Sequence, residues 1–314
     1  MKHLKKLFAL VLSLLLCLSL LAACGDTGNG ADDSGGGEDT PAIALTDMTG
    51  RTITLDAPAT RVVALTAGDC EILYALGCGD ALVGRGEYCN YPTQVLEVPA
   101  VQSGSETNME QLLALQPQVI FMNTMDQSKE TVEALERAGI QCVMSTAENV
   151  EGVYTAIRMI GTVMGKGTEA EALVSSMQNT FADLQSKTAG GEKKTVYFEV
   201  SPLQYGLWTA GTGTFMDEVA TMLGLTNIFS DVEGWAAVSE EQVLLRDPDY
   251  IVTISMYFGE GPTPVEEILS RSGWKNVTAV KNGKILNLQN DELSRPAPRL
   301  AEGAQMMYDF VYGN

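Results

Sequence analysis

Asn108-Met109-Glu110-Gln111-Leu112-Leu113-Ala114-Leu115-Gln116-Pro117-Gln118-Val119-Ile120-Phe121 has a counterpart 131 residues later in Ser239-Glu240-Glu241-Gln242-Val243-Leu244-Leu245-Arg246-Asp247-Pro248-Asp249-Tyr250-Ile251-Val252. Five of the fourteen positions are identical, among them the Glu-Gln pair and the proline. Each copy opens on a helix-capping residue with Gln three positions on, a capping-box arrangement. Each then passes through a short helical pattern to a proline stop and into an apolar run with strand character. The repeat predicts two lobes of related topology.

Working outward, Arg61-Val62-Val63-Ala64-Leu65 reads as a strand, 68–76 as a helix stopped by Gly77, and Ala81-Leu82-Val83-Gly84 as the next strand. Beyond the first copy, 131–138 reads as a helix closed by Gly139, and Gln141-Cys142-Val143-Met144 as a strand. The pattern restarts near Thr195 with a strand over 196–200 and a helix over 215–223 stopped by Gly224. Strands alternating with helices predict an α/β fold with parallel sheets. Between the halves, 148–164 is one helix with Val153, Ile157, Ile160 and Met164 on one face. After a break at 165–167, Thr168 and Glu171 are placed to form a capping box for a helix over 168–187, striped by Leu173, Met177, Phe181 and Leu184. About twenty residues at about 1.5 Å each make a rod of about 30 Å, long enough to run from one lobe to the other. On periodicity alone an ordinary surface helix is the other reading. The expected division is an N-terminal lobe over 42–147, connecting helices over 148–190 and a C-terminal lobe over 191–314.

The chain has 314 residues, 20 Lys+Arg, 40 Asp+Glu and one histidine. Residues 1–23 combine Lys2, His3, Lys5 and Lys6, an apolar run over 7–21 and small residues at Ala22 and Ala23. That order reads as a secretory signal peptide. Leu21-Ala22-Ala23-Cys24 also has the form of a bacterial lipobox, which makes Cys24 the lipidated first residue of the mature chain. Residues 24–41 follow as a polar, acidic linker with too few apolar side chains to build a core. The mature chain then has no histidine and a net charge of −23. This excludes Ser-His-Asp and Cys-His catalysis and His-ligated metal or haem, and argues against nucleic acid as a partner. Cys70, Cys78, Cys89 and Cys142 remain, with no CxxC, and their spacing leaves their pairing open.

Several segments together resemble the ABC-transporter substrate-binding proteins for cobalamin, siderophores and haem. They are Arg61-Val62-Val63-Ala64-Leu65, Glu71-Ile72-Leu73-Tyr74-Ala75-Leu76-Gly77, Tyr88-Cys89-Asn90-Tyr91-Pro92, Asn108-Met109-Glu110, Gly234-Trp235-Ala236-Ala237-Val238-Ser239-Glu240-Glu241 and Ser294-Arg295-Pro296-Ala297-Pro298-Arg299. The resemblance covers about residues 42–312. It implies two Rossmann-like lobes with parallel central sheets joined by one long backbone helix, a periplasmic-binding-protein-like fold. It also implies a monomer, tethered to the outer face of the cell membrane, that hands a small molecule to an ABC permease with no catalysis and no cofactor of its own. The Tyr-Pro and Trp-x-x-Val-Ser-x-Glu segments look most like the cobalamin-binding branch, which implies a corrinoid ligand. Ser103-Gly104-Ser105 departs from that branch, standing where it offers a tryptophan. A ferric siderophore is the nearer alternative and haem a more distant one. An extracytoplasmic chelatase-like enzyme is the alternative of another class, although no nucleophile with an activating base is evident.

Tyr88, Tyr91 and Trp235 fall in loops expected beyond strands, where α/β proteins bind ligands and where aromatic rings supply contact area at little entropic cost. Trp208 ends a second aromatic loop that starts at Ser201. Gly211-Thr212-Gly213-Thr214 lacks the full glycine pattern and lysine of a phosphate loop and reads as a turn with Thr214 as a helix cap. Arg295 and Arg299 stand at an expected helix start, which disfavours cations, so an anion should meet them. A ligand carboxylate or phosphate, Glu302 and Glu292 are the candidates. Glu110 and Glu241 hold equivalent places in the repeat. The helix dipole alone accounts for them, and in the resembling family one such acid per lobe docks onto arginines of the permease.

Overall fold

The computed structural model describes residues 43–104, 107–124, 128–257, 259–288 and 291–313. The signal segment, Cys24, the linker and Ser105 lie outside them. Among the described residues no helix is long and apolar enough to cross a membrane.

Strands β1 (Ile43–Thr46) and β2 (Thr52–Leu55) form an antiparallel hairpin. Asp47 closes its turn by accepting the backbone N–H groups of Thr49 and Arg51, both at 2.9 Å. The N-terminal lobe is then built from β3 (Val62–Ala64), α1 (Ala67–Ala75), β4 (Leu82–Gly86), β5 (Ala100–Val101), α2 (Met109–Ala114), β6 (Val119–Met122), α3 (Lys129–Arg137) and β7 (Gln141–Met144). Its five strands are all parallel, in the order β5-β4-β3-β6-β7.

Two helices follow, α4 (Val150–Val163) and α5 (Gly167–Thr188). The C-terminal lobe contains β8 (Lys194–Glu199), β9 (Trp208–Ala210), α6 (Phe215–Met222), β10 (Leu225–Asn227), β11 (Trp235–Ala237), α7 (Glu240–Arg246), β12 (Tyr250–Thr253), α8 (Pro264–Ser270), α9 (Thr278–Lys281), β13 (Ile285–Asn287) and α10 (Leu300–Tyr312). Its main sheet is parallel in the order β10-β8-β12-β13, while β9 and β11 pair as a separate antiparallel ribbon.

The central strands are buried on both faces, which is why they read as unbroken apolar runs. Alternate residues enter different cores. Val119 and Phe121 of β6, Val196 and Phe198 of β8, and Tyr250 and Val252 of β12 join one core that also takes in α4, α5 and α10. Ile120 and Met122 face an outer core of the first sheet, and Tyr197 and Ile251 an outer core of the second. One hydrophobic core therefore runs through both lobes, which opposes wide hinge motion.

The repeat appears as matching architecture. Gln116 and Asp247, 131 residues apart, both take positive φ, 48° and 42°, immediately before their prolines. Gln118 Oε1 accepts the N–H of Thr60 at 2.8 Å, and Asp249 Oδ2 accepts that of Thr195 at 2.8 Å, each bond tying the turn to the start of the neighbouring strand.

Three local expectations need correction. The capping box is complete only in the second copy, where Ser239 Oγ accepts Gln242 N–H and Gln242 Oε1 accepts Ser239 N–H. In the first, Asn108 caps Gln111 N–H, but Gln111 Oε1 accepts from Gln102 N–H instead. The Thr168–Glu171 box does not form, because α5 begins a residue earlier at an uncapped Lys166 and Glu171 accepts from Arg158 Nε of α4 at 2.8 Å. Val174 takes the fully buried position expected of Leu173, which packs at the margin of the core and also lines a side cavity.

Candidate functional site

All strands of each main sheet are parallel, so their carboxyl ends share one rim, and the chain leaving that rim carries the candidate side chains. In the N-terminal lobe β4 feeds a loop with Tyr88, 77% exposed, and Tyr91, 42% exposed. In the C-terminal lobe β8 leads through Pro202, Gln204 and Tyr205 into β9, and β12 leads through Ser255, Met256 and Tyr257.

Trp208 and Trp235 were expected in loops, but both are strand residues of the β9/β11 ribbon. Trp208 pairs with Ala237 and Trp235 with Ala210. Cross-strand partners share a face, as do residues two apart, so both indoles stand on the same face. They are 43% and 40% exposed. Trp235 is steadied by Phe215, the first residue of α6, in an edge contact with ring centroids 5.5 Å apart. Gly211 to Thr214 is the turn that leads into that helix. Thr214 Oγ1 donates to Gly211 O at 2.8 Å and accepts Asp217 N–H.

A cavity of about 440 Å³ opens beyond β8 and β12, lined by Glu199, Tyr205, Ser255, Met256, Tyr257, Glu260 and Glu267 with several prolines. Its charged floor is built deliberately deep. The Arg271 fork meets Glu199 at 2.6 and 2.9 Å, with both side chains 1% exposed, and also binds Glu267. Burial pushes the Glu199 carboxyl up, opposed by the Arg271 hydrogen bonds. Burial likewise works against the Arg271 charge, yet its two carboxylates hold it above the ordinary arginine value. The guanidinium also lies over the Trp274 ring at 4.5 Å. Three carboxylates line this cavity against one arginine beneath it, which favours neutral or cationic ligands over polyanions.

The two arginines at the start of α10 find their anion inside the protein. Arg295 Nη1 binds Glu71 Oε1 at 3.0 Å and Asn90 Oδ1 at 2.8 Å, and Arg295 Nη2 binds Asp291 at 2.6 Å and the Tyr88 carbonyl at 3.1 Å. Arg299 grips Glu71 at 2.6 and 2.9 Å and lies 3.7 Å from Glu292. Arg295, expected among the ligand contacts, thus belongs to a strap that fastens the C-terminal segment to α1 of the other lobe. Of the acids proposed from sequence, Glu292 takes part. Glu71 is the principal partner, and nothing local marks it, because it lies 224 residues from Arg295. A second joint links the lobes where Phe215 N–H donates to Glu148 O and Val150 N–H to Glu218 Oε2.

Tyr91 is drawn into this strap. Its ring lies 3.9 Å from the Arg299 guanidinium and lines a second cavity of about 460 Å³ with Glu71, Tyr74, Leu173 and Glu302. Tyr91 therefore lines a cavity apart from the one beyond β8 and β12. Neither tryptophan lines the C-terminal-lobe cavity, and Tyr205, Met256, Tyr257 and Glu260 do so without having been singled out. Their signal was position, immediately after buried strands.

Asp69 is a further buried acid on the N-terminal side. Desolvation raises its pKa from 3.8 to about 6, against hydrogen bonds from Thr66 and Ser145 that lower it. Glu110 and Glu241 are exposed in the first turns of α2 and α7, and neither enters a salt bridge among the described residues. Backbone and Ser239 hydrogen bonds lower the Glu241 pKa. Each of these helices runs back along the strand that follows it, so both acids stand on the strand-end side of their lobes. Among the described residues no group of three or more His, Cys, Asp or Glu could hold a metal ion.

The periplasmic binding protein family profile matches residues 62–292, and the chain belongs to that family. It is 32% identical over 318 residues to the uncharacterized ABC transporter substrate-binding lipoprotein YvrC of Bacillus subtilis, covering 98% of each chain. A possible iron-binding periplasmic solute-binding protein from Staphylococcus epidermidis superposes with a TM-score of 0.70 at 28% identity, over 82% of this chain and all of that one. The periplasmic vitamin B12-binding protein of Vibrio cholerae gives a TM-score of 0.67 at 25% identity, over 81% of this chain and 97% of that one.

Proposed function

We propose that this chain is the extracytoplasmic, lipid-anchored component of an ABC importer, that it captures a corrinoid, and that it passes the ligand to the permease without covalent chemistry. The observation that carries this reading is the pair of half-exposed tryptophans on one face of the β9/β11 ribbon. Such a face offers a platform for a large planar ring. The carboxylate-lined cavity beside the β8–β9 loop suits the amide N–H groups around a corrin, and it opposes ligands with several negative charges. The vitamin B12-binding relative lends support on sequence and fold. Glu110 and Glu241 are the docking points for arginines of the permease, and Cys24 carries the anchor. That the named relatives are binding proteins supports a role without catalysis.

The second reading is a ferric siderophore of low negative charge, favoured by the possible iron-binding relative and by the same acidic lining. Calorimetric titration of the purified protein with cyanocobalamin, a ferric hydroxamate and a ferric catecholate separates these. Saturable one-to-one binding of cyanocobalamin, weakened by Trp235→Ala, supports the corrinoid. Binding of the hydroxamate alone replaces it with the siderophore, and silence from all three overturns both.

A further inference from the structure

Two of the four cysteines of the folded chain meet beneath the exposed Tyr88–Tyr91 loop. Cys70 lies in α1, Cys89 lies between Tyr88 and Asn90, and both are buried, at 0% and 1% exposure. Their sulfurs converge on one acceptor, the Ala64 carbonyl at the end of β3, at 3.7 and 3.8 Å. Cys78 and Cys142 lie elsewhere, Cys78 donating to Leu76 O and Cys142 sitting within β7.

We propose that Cys70 and Cys89 form a disulfide that fastens the Tyr88–Tyr91 loop to α1. Two S–H bonds break and one S–S bond forms. The two protons and two electrons pass to the disulfide of a thiol oxidant, which leaves as two thiols. In the cell the co-reactant is a dithiol oxidase outside the cytoplasm, where such bonds persist. In part this rests on the extracytoplasmic placement, whereas the sulfur geometry does not. The neighbouring Cys89 thiol and then burial push the Cys70 thiol well above its ordinary pKa, which makes folded Cys70 a poor nucleophile. Both sulfurs are also closed off from solvent in the folded chain, so the bond forms while the chain folds. The bond would close a loop that includes β4 and hold the chain next to Asn90, which meets Arg295 of the interlobe strap. It would therefore stiffen the N-terminal side of the cleft.

The test refolds the full chain from urea in a glutathione redox buffer, blocks free thiols by alkylation and maps tryptic peptides. Cleavage after arginine and lysine puts Cys70 and Cys78 on the peptide 62–85 and Cys89 on 86–129. The expected result is a linked 62–85/86–129 pair that persists in Cys78→Ser and disappears in Cys89→Ser. Reductant should lower the thermal midpoint of the oxidised protein by about 5 °C and leave that of Cys89→Ser unmoved. Alkylation of both Cys70 and Cys89 in refolded protein with native circular dichroism overturns the proposal, as does a bond that maps to Cys78. A bond that forms in glutathione but is absent from protein exported by a bacterial host overturns its use in the cell and leaves the extracytoplasmic placement standing.

Discussion

In the N-terminal lobe the side chain of Gln118 ties the repeated turn to the residues before β3, and in the C-terminal lobe Asp249 does the same for β8. At that edge of the two sheets the lobes are near copies. At the opposite rim they diverge. The N-terminal rim is fastened by ionic contacts, with Glu71 holding two arginines and Tyr91 stacked on one of them. The C-terminal rim presents an aromatic ribbon and an acidic cavity over a buried Glu199–Arg271 pair. Repetition has kept the backbone unit, and the loops beyond the strand ends have been free to specialise.

The largest effect should come from breaking the C-terminal floor. Arg271→Met leaves Glu199 buried without a cation, and a loss of about 3–5 kcal/mol is expected in urea unfolding. A midpoint close to that of the parent would mean that water reaches Glu199 from the cavity. In the N-terminal lobe the corresponding sensitivity is to pH, through Asp69. Its folded pKa of about 6 lies above the ordinary 3.8, so folding favours the protonated form. That stabilisation is complete below about pH 4 and is lost as pH rises through 6, a total of roughly 3 kcal/mol. Asp69→Asn should remove this slope in unfolding curves taken from pH 4 to 7. Asp217→Asn is the control from the other lobe, where the same Thr-capped position bonds to Asn227.

A third comparison concerns the aromatic rings. Trp235→Ala should weaken binding of the corrinoid about tenfold or more in calorimetry. Tyr91→Ala should weaken it less, because that ring already lies on Arg299 in the other cavity. The reverse order would place the ligand against the N-terminal strap. The smallest expected difference is between the caps. Ser239→Ala and Asn108→Ala should each cost about 1 kcal/mol in unfolding free energy. Removing Gln242 should add to the loss at the start of α7, whereas removing Gln111 should not uncap α2, since only the former bonds back to its own cap.

Much of the scaffold was legible in the chain itself. Strands at Val119–Met122 and Gln141–Met144 and the caps at Asn108, Thr214 and Ser239 depend on neighbours within a few residues, so periodicity and residue type suffice to find them. The error at Thr168 was also local. A plausible capping pair lost to a helix start set by the tight α4–α5 turn, where Lys166 N–H bonds to Gly161 O. Around the candidate site, sequence located the aromatic residues but not their companions. Glu71 stood in the α1 segment with nothing to mark its partners until the fold carried Arg295 and Arg299 to it. Trp208 and Trp235 share a face only because two separated segments pair as a ribbon, and Cys70 and Cys89 meet only because α1 and the loop after β4 both return to the end of β3. Local patterns are written in short-range sterics and hydrogen bonding, which sequence spacing records. The meeting of distant side chains is decided by chain topology and shared core packing, which only the tertiary structure contains.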